Sequence, residues 1–151
     1  MTAPVYYRVA GFAFSVGLPG GMEADVWLPS FRPFRGGEGV PLLFSLTVGT
    51  VPAPGMATTK GRLLEEQTND VGRVRLYAVA GGYAVDFAAL SGPCRHRLQV
   101  TSDFTSARAF VVPADRRAPL VLSSMLRIVF AQAVLVRRAV LLHASAVVCD
   151  G

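Results

Sequence analysis

Ionisable and redox-active side chains are scarce in this sequence. Its 151 residues include two cysteines and two histidines, and charged residues make up 17% of the chain. Cys94 and Cys149 form no C-x-x-C pair, which argues against a disulfide framework. His96 lies two residues from Cys94 and His143 six residues from Cys149, and neither spacing is usual for zinc. We therefore expect two reduced thiols, no bound metal and no other cofactor.

The start of the chain also lacks the marks of a secretion signal. It has no basic n-region and no clear cleavage site, so the expected location is the cytoplasm. A membrane span is not expected either. The longest apolar stretch, residues 120–137, contains Arg127, which costs roughly 2.5–3.5 kcal/mol at the centre of a membrane helix.

The charge that is present is mostly positive. Fourteen arginines and one lysine stand against ten acidic residues, which gives a net charge of +5. A nucleic-acid-binding protein usually gathers its basic residues on one surface or interleaves them with exposed aromatic residues. Here the arginines are spread over many alternating segments, and we expect no nucleic-acid partner.

Apolar residues, at 52% of the chain, are numerous enough to form a core. Their alternation and the turn residues between them predict an antiparallel meander of about eight short strands. The expected strands cover residues 5–16, 24–28, 40–50, 62–67, 74–80, 83–89, 96–100 and 107–112.

Several of these segments carry sharper expectations. The pair Gly81-Gly82 predicts a tight hairpin, because glycine accepts positive φ values. Residues 29–34 contain two prolines and are not expected to form a central strand. The nearly uninterrupted apolar run of residues 40–50 predicts a strand buried on both faces, and residues 52–59 predict a flexible loop.

The pattern changes to helical spacing after Pro113. Leu122, Met125, Leu126 and Val129 recur at intervals of three and four residues within residues 120–137, which predicts a core helix lying on the sheet. Asp115 is the expected N-cap and Pro119 suits the first turn. The apolar residues 139–149 predict a final strand.

The predicted fold is therefore α+β. It has a β-rich recognition or scaffold domain over residues 1–112. Residues 113–151 supply a long C-terminal helix and a final strand, and the two parts are expected to pack as one unit.

Motifs for catalysis are weak. A Ser-His-Asp set can be assembled from His96 or His143 with several serines and aspartates, but no nucleophile elbow G-x-S-x-G is present. The only lysine lies in residues 55–60, which lack the glycine before it and the hydroxyl after it that a phosphate-binding loop requires. We predict no catalytic, cofactor-binding or metal-binding residues.

The last eleven residues, 141–151, read Leu-Leu-His-Ala-Ser-Ala-Val-Val-Cys-Asp-Gly. This segment resembles a strand of the HPr kinase and phosphoenolpyruvate carboxykinase-like group, which turns at its glycine toward a phosphate-binding loop. Residues 28–34, 41–46 and 99–104 are similar to the N-terminal part of uncharacterised members of that group.

The resemblance implies that His143 and Ser145 correspond to positions near a phosphoryl-transfer site. The sequence stops at Gly151, before any phosphate-binding loop, so we expect a non-catalytic recognition or scaffolding module. A longer parent would be an ATP-dependent serine kinase. The alternative is a standalone ligand-binding or protein-interaction domain derived from such a kinase. We also expect a protein or peptide partner and a homo-oligomer formed through the C-terminal strand, whose edge would lack a neighbour.

Overall fold

The computed structural model describes residues 3–69, 72–90 and 94–139, in which eight strands form one sheet with helices on one face. The strands are β1 (Val5–Val9), β2 (Phe12–Gly17), β3 (Leu42–Thr50), β4 (Arg62–Asn69), β5 (Gly72–Val79), β6 (Gly82–Ala88), β7 (Arg95–Thr101) and β8 (Ser106–Val111). The helices are α1 (Ala24–Trp27), a 3-10 helix (Pro29–Phe34) and α2 (Ala118–Val136).

Tight turns connect the hairpins. Between β1 and β2, Ala10 and Gly11 both have positive φ, 50° and 86°, which matches the right-handed twist of the paired strands. The predicted hairpin at Gly81-Gly82 is confirmed. Gly81 forms the turn with a φ of 79°, and Gly82 is the first residue of β6.

The strand order is β1-β2-β3-β8-β7-β6-β5-β4, and the sheet is mixed. The prediction of an antiparallel meander is right for β4 to β8 and wrong for β3, which runs parallel to both β2 and β8. A parallel pair requires a long crossover. Residues 18–41, which contain α1 and the 3-10 helix, provide it between β2 and β3.

The expected strand over residues 24–28 is absent, because residues 24–27 form α1 and Leu28 ends it. Ala24 and Leu28, four residues apart, are both buried against the core. This spacing places them on one side of a helical turn, and Asp25 lies in that first turn, where a negative charge is favourable. Residues 29–34, which were not expected to form a central strand, form the 3-10 helix.

Strand β3 is buried mainly on one face. Phe44, Leu46 and Val48 contribute to the core, whereas Ser45 and Thr47 are exposed on the other face. The prediction of burial on both faces is therefore wrong, because the two polar residues alternate with the apolar ones and the face they occupy lies open there.

Helix α2 lies on the sheet as predicted. Leu122, Met125, Leu126 and Val129 are fully buried in the same core cluster as residues of β2, β3, β7 and β8. By length and composition α2 is apolar enough to cross a membrane, but half of that segment is buried inside the protein. The core contacts account for this burial without a membrane.

The start of α2 differs from the expectation. The residue before the helix is Arg117, and Asp115 lies two positions earlier. Its carboxylate accepts the backbone N–H of Arg117 at 2.9 Å, so Asp115 fixes the preceding turn. Pro119 lies in the first turn, as predicted. The expected final strand, residues 139–149, falls outside the described residues apart from Ala139, which packs against the core.

Candidate functional site

His143 and Ser145, the two positions that the resemblance connects to phosphoryl transfer, lie outside the described residues, as does Cys149. Their roles stay predictions. The described part of the chain contains three other groups of polar side chains, one on the helix-covered face of the sheet and two on the opposite face.

The first group surrounds His96 on the helix-covered face, where its side chain is 2% exposed. Nδ1 accepts the backbone N–H of Val112 at 3.1 Å, and Nε2 lies 3.0 Å from Oδ2 of Asp115. Because Nδ1 accepts, the ring proton belongs on Nε2, which donates to the carboxylate. Both ring nitrogens are therefore occupied.

Asp115 is held in its charged form by this arrangement. Burial raises the pKa of its carboxyl, but the backbone N–H of Arg117, the ring of His96 and the Arg117 guanidinium lower it, and the net pKa lies below the usual value of 3.8. The pair thus ties β7 to the segment that leads into α2, which is a structural role.

A catalytic triad does not form around this histidine. In such a triad one ring nitrogen faces a nucleophile and the other a carboxylate, whereas here the second nitrogen is bound to an amide. Asp103 lies at the far end of β7, in the turn after Thr101, where it accepts the hydroxyl of Thr101 at 2.6 Å. Asp86 lies on the opposite face of the sheet.

The second group is a buried ion pair on that opposite face, which we call the open face because none of the helices in the described part of the chain covers it. Asp86 of β6 and Arg97 of β7 are directly paired in the sheet, and their side chains are 3% and 9% exposed. Nε of Arg97 donates to Oδ1 of Asp86 at 2.7 Å, and Nη2 donates to Oδ2 at 3.3 Å. A buried ion pair requires further hydrogen bonds to its remaining donors and acceptors.

The segment between β3 and β4 supplies those partners. Residues 51–61, which we call the strap, pass over the open face because β3 and β4 are separated by four other strands. Thr59 donates its backbone N–H to Oδ2 of Asp86 at 3.1 Å and its hydroxyl to Oδ1 at 2.8 Å. Arg97 donates to the backbone carbonyl of Ala57. The ion pair therefore anchors the strap.

Backbone contacts hold the strap at a second point. Arg95 donates its N–H to the carbonyl of Pro54 at 2.8 Å. Gly55 has a φ of 95°, and a Cβ there would lie 2.0 Å from the carbonyl oxygen of Arg95, so only glycine fits. The strap was predicted as a flexible loop. It has no regular secondary structure, yet its anchors show that it is a fixed part of the open face.

The third group is basic. The register places alternate residues of β5, β7 and β8 on the open face, and five of them are arginines. They are Arg73, Arg75, Arg95, Arg97 and Arg108. Two of these arginines, Arg73 and Arg75 of β5, form ion pairs with Glu66 of β4, whose single negative charge offsets one of their two positive charges.

The arginines that the sequence spreads over separate segments are thus brought together by strand alternation and by register. The alternation of side chains along each strand could be predicted from the sequence, but the position of β8 beside β3 could not. Asp86, Arg97 and Thr59 were missed for the same reason, since their contacts join residues 27 and 11 positions apart.

Beyond the strap the open face contains a groove of about 370 Å³. Its charged residue is Arg108, which is directly paired with Gln99 on one side and Thr47 on the other. Thr101 and Ser106 lie in the next row of the lining. These side chains are exposed hydrogen-bonding groups. Gly82 also lines the groove, and its backbone lies so close to β7 that a Cβ there would be 2.0 Å from the carbonyl oxygen of Val100.

No cluster of three metal-binding side chains exists within residues 3–69, 72–90 and 94–139. Cys94, immediately before β7, has a free, half-buried thiol. Residues 55–60, which lack the glycine and the hydroxyl of a phosphate-binding loop, belong to the strap and contact the protein itself.

Comparison of the chain with models of protein families, with curated proteins and with solved structures finds no match.

Proposed function

We propose that this chain is a non-catalytic recognition or scaffolding module, equivalent to the N-terminal part of an HPr-serine-kinase-like protein and without its own nucleotide site. The supporting observation is the saturation of its buried polar groups. His96 has both nitrogens bound, and the Asp86–Arg97 pair is enclosed by the strap. The side chains of His96, Asp86 and Arg97 are nearly fully buried, and their hydrogen bonds hold the fold.

The exposed part of the open face suits a partner that carries negative charge. Arg108 has no ion pair among the described residues, and Arg73 and Lys60 are exposed on the same side of the sheet. The acidic side chains there are already engaged, Asp86 with Arg97 and Glu66 with two arginines. By charge complementarity, the partner is an acidic segment of a protein.

A standalone ligand-binding domain is the second candidate. The groove around Gln99 and Arg108 favours it, because a row of amide, guanidinium and hydroxyl groups can hydrogen-bond a small anionic ligand. In that case Arg108 would bind the charged group of the ligand and Gln99 would set its orientation.

A binding experiment tests the proposal. A fluorescent oligoglutamate peptide should bind the protein, and Arg108→Glu should weaken that binding by at least about tenfold, which corresponds to about 1.4 kcal/mol. Arg116→Glu is the matched control. It makes the same charge change in the exposed loop before α2, away from the open face, and should leave binding within about twofold.

Two outcomes would overturn the proposal. Equal losses for Arg108→Glu and Arg116→Glu would mean that only net charge matters, and tighter binding to single-stranded RNA than to the peptide would assign the face to nucleic acid.

The claim of no nucleotide site has its own test. Calorimetric titration with ATP and Mg²⁺ should give no saturable heat, and micromolar, magnesium-dependent affinity would contradict it.

A further inference from the structure

The polar side chains of the open face differ in how far the protein itself uses them. Those under the strap bind one another, as Asp86 does with Arg97 and Thr59. Five others, on β3, β7 and β8, are exposed, and no described residue forms a hydrogen bond or ion pair with their side chains. We call these five the polar patch: Ser45, Thr47, Gln99, Ser106 and Arg108.

The sheet register brings the polar patch together. Arg108 lies between Thr47 and Gln99 of the neighbouring strands, and Ser45 and Ser106 are paired in the next row. Strands are about 4.8 Å apart and alternate residues about 7 Å apart, so the patch extends about 10 Å across the strands and about 7 Å along them. Three of its members also line the groove of about 370 Å³, which is near the lower end of the roughly 300–1,000 Å³ of small-molecule sites. Both dimensions suit a ligand of one or two six-membered rings.

The charge of the groove favours a ligand with one negative charge. Arg108 is the charged residue in its lining, and a guanidinium binds a carboxylate through two parallel N–H···O bonds. A polyphosphate is held instead by several cations or by a cradle of backbone N–H groups. Most of the backbone that lines the groove belongs to paired strands, so the groove suits a single carboxylate better.

A carboxylate lies next to Thr101, one row away from Arg108 along the strands. Oδ1 of Asp103 accepts the hydroxyl of Thr101 at 2.6 Å, and the backbone N–H and hydroxyl of Thr105 at 3.1 and 2.9 Å. These bonds, above all the one from Thr101, hold the pKa of Asp103 below the usual 3.8, so the carboxyl is ionised at neutral pH. Its Oδ2 has no partner among the described residues. It can accept a hydroxyl of a ligand, whereas a second anion at this end would be repelled.

The uncharged members of the polar patch match the hydroxyl groups of a sugar. The amide of Gln99 both donates and accepts hydrogen bonds, and so do the hydroxyls of Thr47 and Ser106. A sugar hydroxyl has the same two capacities, whereas a simple carboxylic acid would leave these groups bound only to water. Val79, which lines the groove and is half-buried, offers an apolar surface for the C–H groups of the ring.

We propose that the groove and the polar patch bind a saccharide that carries one carboxylate, which is the chemistry of a uronic acid. Arg108 binds the carboxylate, and Gln99 and Thr47 on either side of it bind ring hydroxyls. Hydroxyls at the far end of the ligand reach Ser106 and Asp103. This assignment rests on the ligand-binding form of the proposed function and gives the ligand a chemical class.

A comparison of three small ligands tests this specificity. D-Glucuronate carries the carboxylate and the ring hydroxyls, D-glucose lacks the carboxylate, and acetate lacks the ring. In an NMR titration of the isotope-labelled protein, glucuronate should shift the amide signals of β7 and β8 and bind at least about tenfold more tightly than either of the other two. Because the side chains of the groove are exposed and one sugar makes few contacts, we expect a dissociation constant in the millimolar range.

Two variants assign the contacts to their residues. Arg108→Met removes the charge and keeps an apolar stem, so it should lower the affinity for glucuronate at least about tenfold, to that for glucose. Gln99→Leu removes the amide and should weaken the binding of both sugars about fivefold, and leave the binding of acetate unchanged. Arg116→Met is the matched control in the loop before α2, and its affinities should stay within about twofold of those of the unmodified protein. The signal dispersion of each unbound variant shows that it is folded.

Two results would overturn this assignment. One is acetate that binds as tightly as glucuronate, because Arg108 would then be a general anion site. The other is glucuronate that binds without saturation, or equally well to Arg108→Met and Arg116→Met. If oligoglutamate binding depends on Arg108 and glucuronate does not bind, the proposed function stands and only the saccharide assignment fails. If neither ligand binds, both fail.

Discussion

The two faces of the sheet are stabilised by different kinds of contact. Under α2, apolar side chains such as Phe44, Leu46 and Leu98 pack against Leu122 and Leu126 and are shielded from water. On the open face, an ion pair and its hydrogen bonds to the strap shield a smaller area, and the rest is solvated. The contacts of the covered face are non-directional and spread over many side chains, whereas the open face depends on a few directional contacts.

This difference makes the open face more sensitive to the loss of a single group. Apolar packing spreads its free energy over many weak contacts. On the open face, much of the stabilising free energy depends on the two charges of the Asp86–Arg97 pair. Removing either charge leaves the other buried without a partner, which is costly. The three predictions below follow this contrast, in order of decreasing effect.

The largest loss is expected for Asp86→Ala. It leaves the guanidinium of Arg97 buried without its carboxylate and removes both acceptors of Thr59, so the free energy of unfolding should fall by about 3–5 kcal/mol. The double variant Asp86→Leu, Arg97→Met should recover most of this loss, because it removes both charges. Urea denaturation measures the free energy of unfolding of the single and the double variant. A loss below about 1 kcal/mol for Asp86→Ala would show that other contacts hold the strap.

A somewhat smaller loss is expected on the covered face. Leu126 is fully buried, and Leu126→Ala should lower the free energy of unfolding by about 2–5 kcal/mol through lost burial and the resulting cavity. Leu120→Ala is the control on the same helix, where the side chain is half exposed, and should cost about 0.5 kcal/mol or less at monomeric concentrations. Equal effects of the two variants would mean that α2 is not packed on the sheet as described.

The smallest expected effect is the loss of stability at acidic pH through Asp115. The folded-state pKa of Asp115 is lowered, so its ionised carboxylate contributes stability above the ordinary pKa of 3.8, and this contribution is lost as the pH falls through the lower folded value. The melting temperature of the unmodified protein should therefore exceed that of Asp115→Asn at neutral pH, and the difference should shrink below about pH 4. A difference that stays constant down to about pH 2 would contradict this assignment.

The site illustrates what strand alternation can and cannot predict. The alternation of Arg95 and Arg97 with His96 and Leu98 already places the arginines on one face of β7 and the histidine on the other. The partner of each was not predictable, because Asp86, Asp115 and Thr59 reach these residues from other segments of the chain. His143 and Ser145 are outside the described residues, so the expectation attached to them is still open.

The sequence by itself determined the β-rich α+β class, the hairpin at Gly81, the limits of α2 to within about two residues and the face of α2 that is buried. These features depend on local periodicity and on glycine and proline, whose effects act within a few residues. Only the tertiary structure decided that β3 lies between β2 and β8, that residues 24–28 form a helical turn, and that the strap crosses the open face. Those choices depend on contacts between residues far apart in the chain, which leave no periodic signal in any one segment.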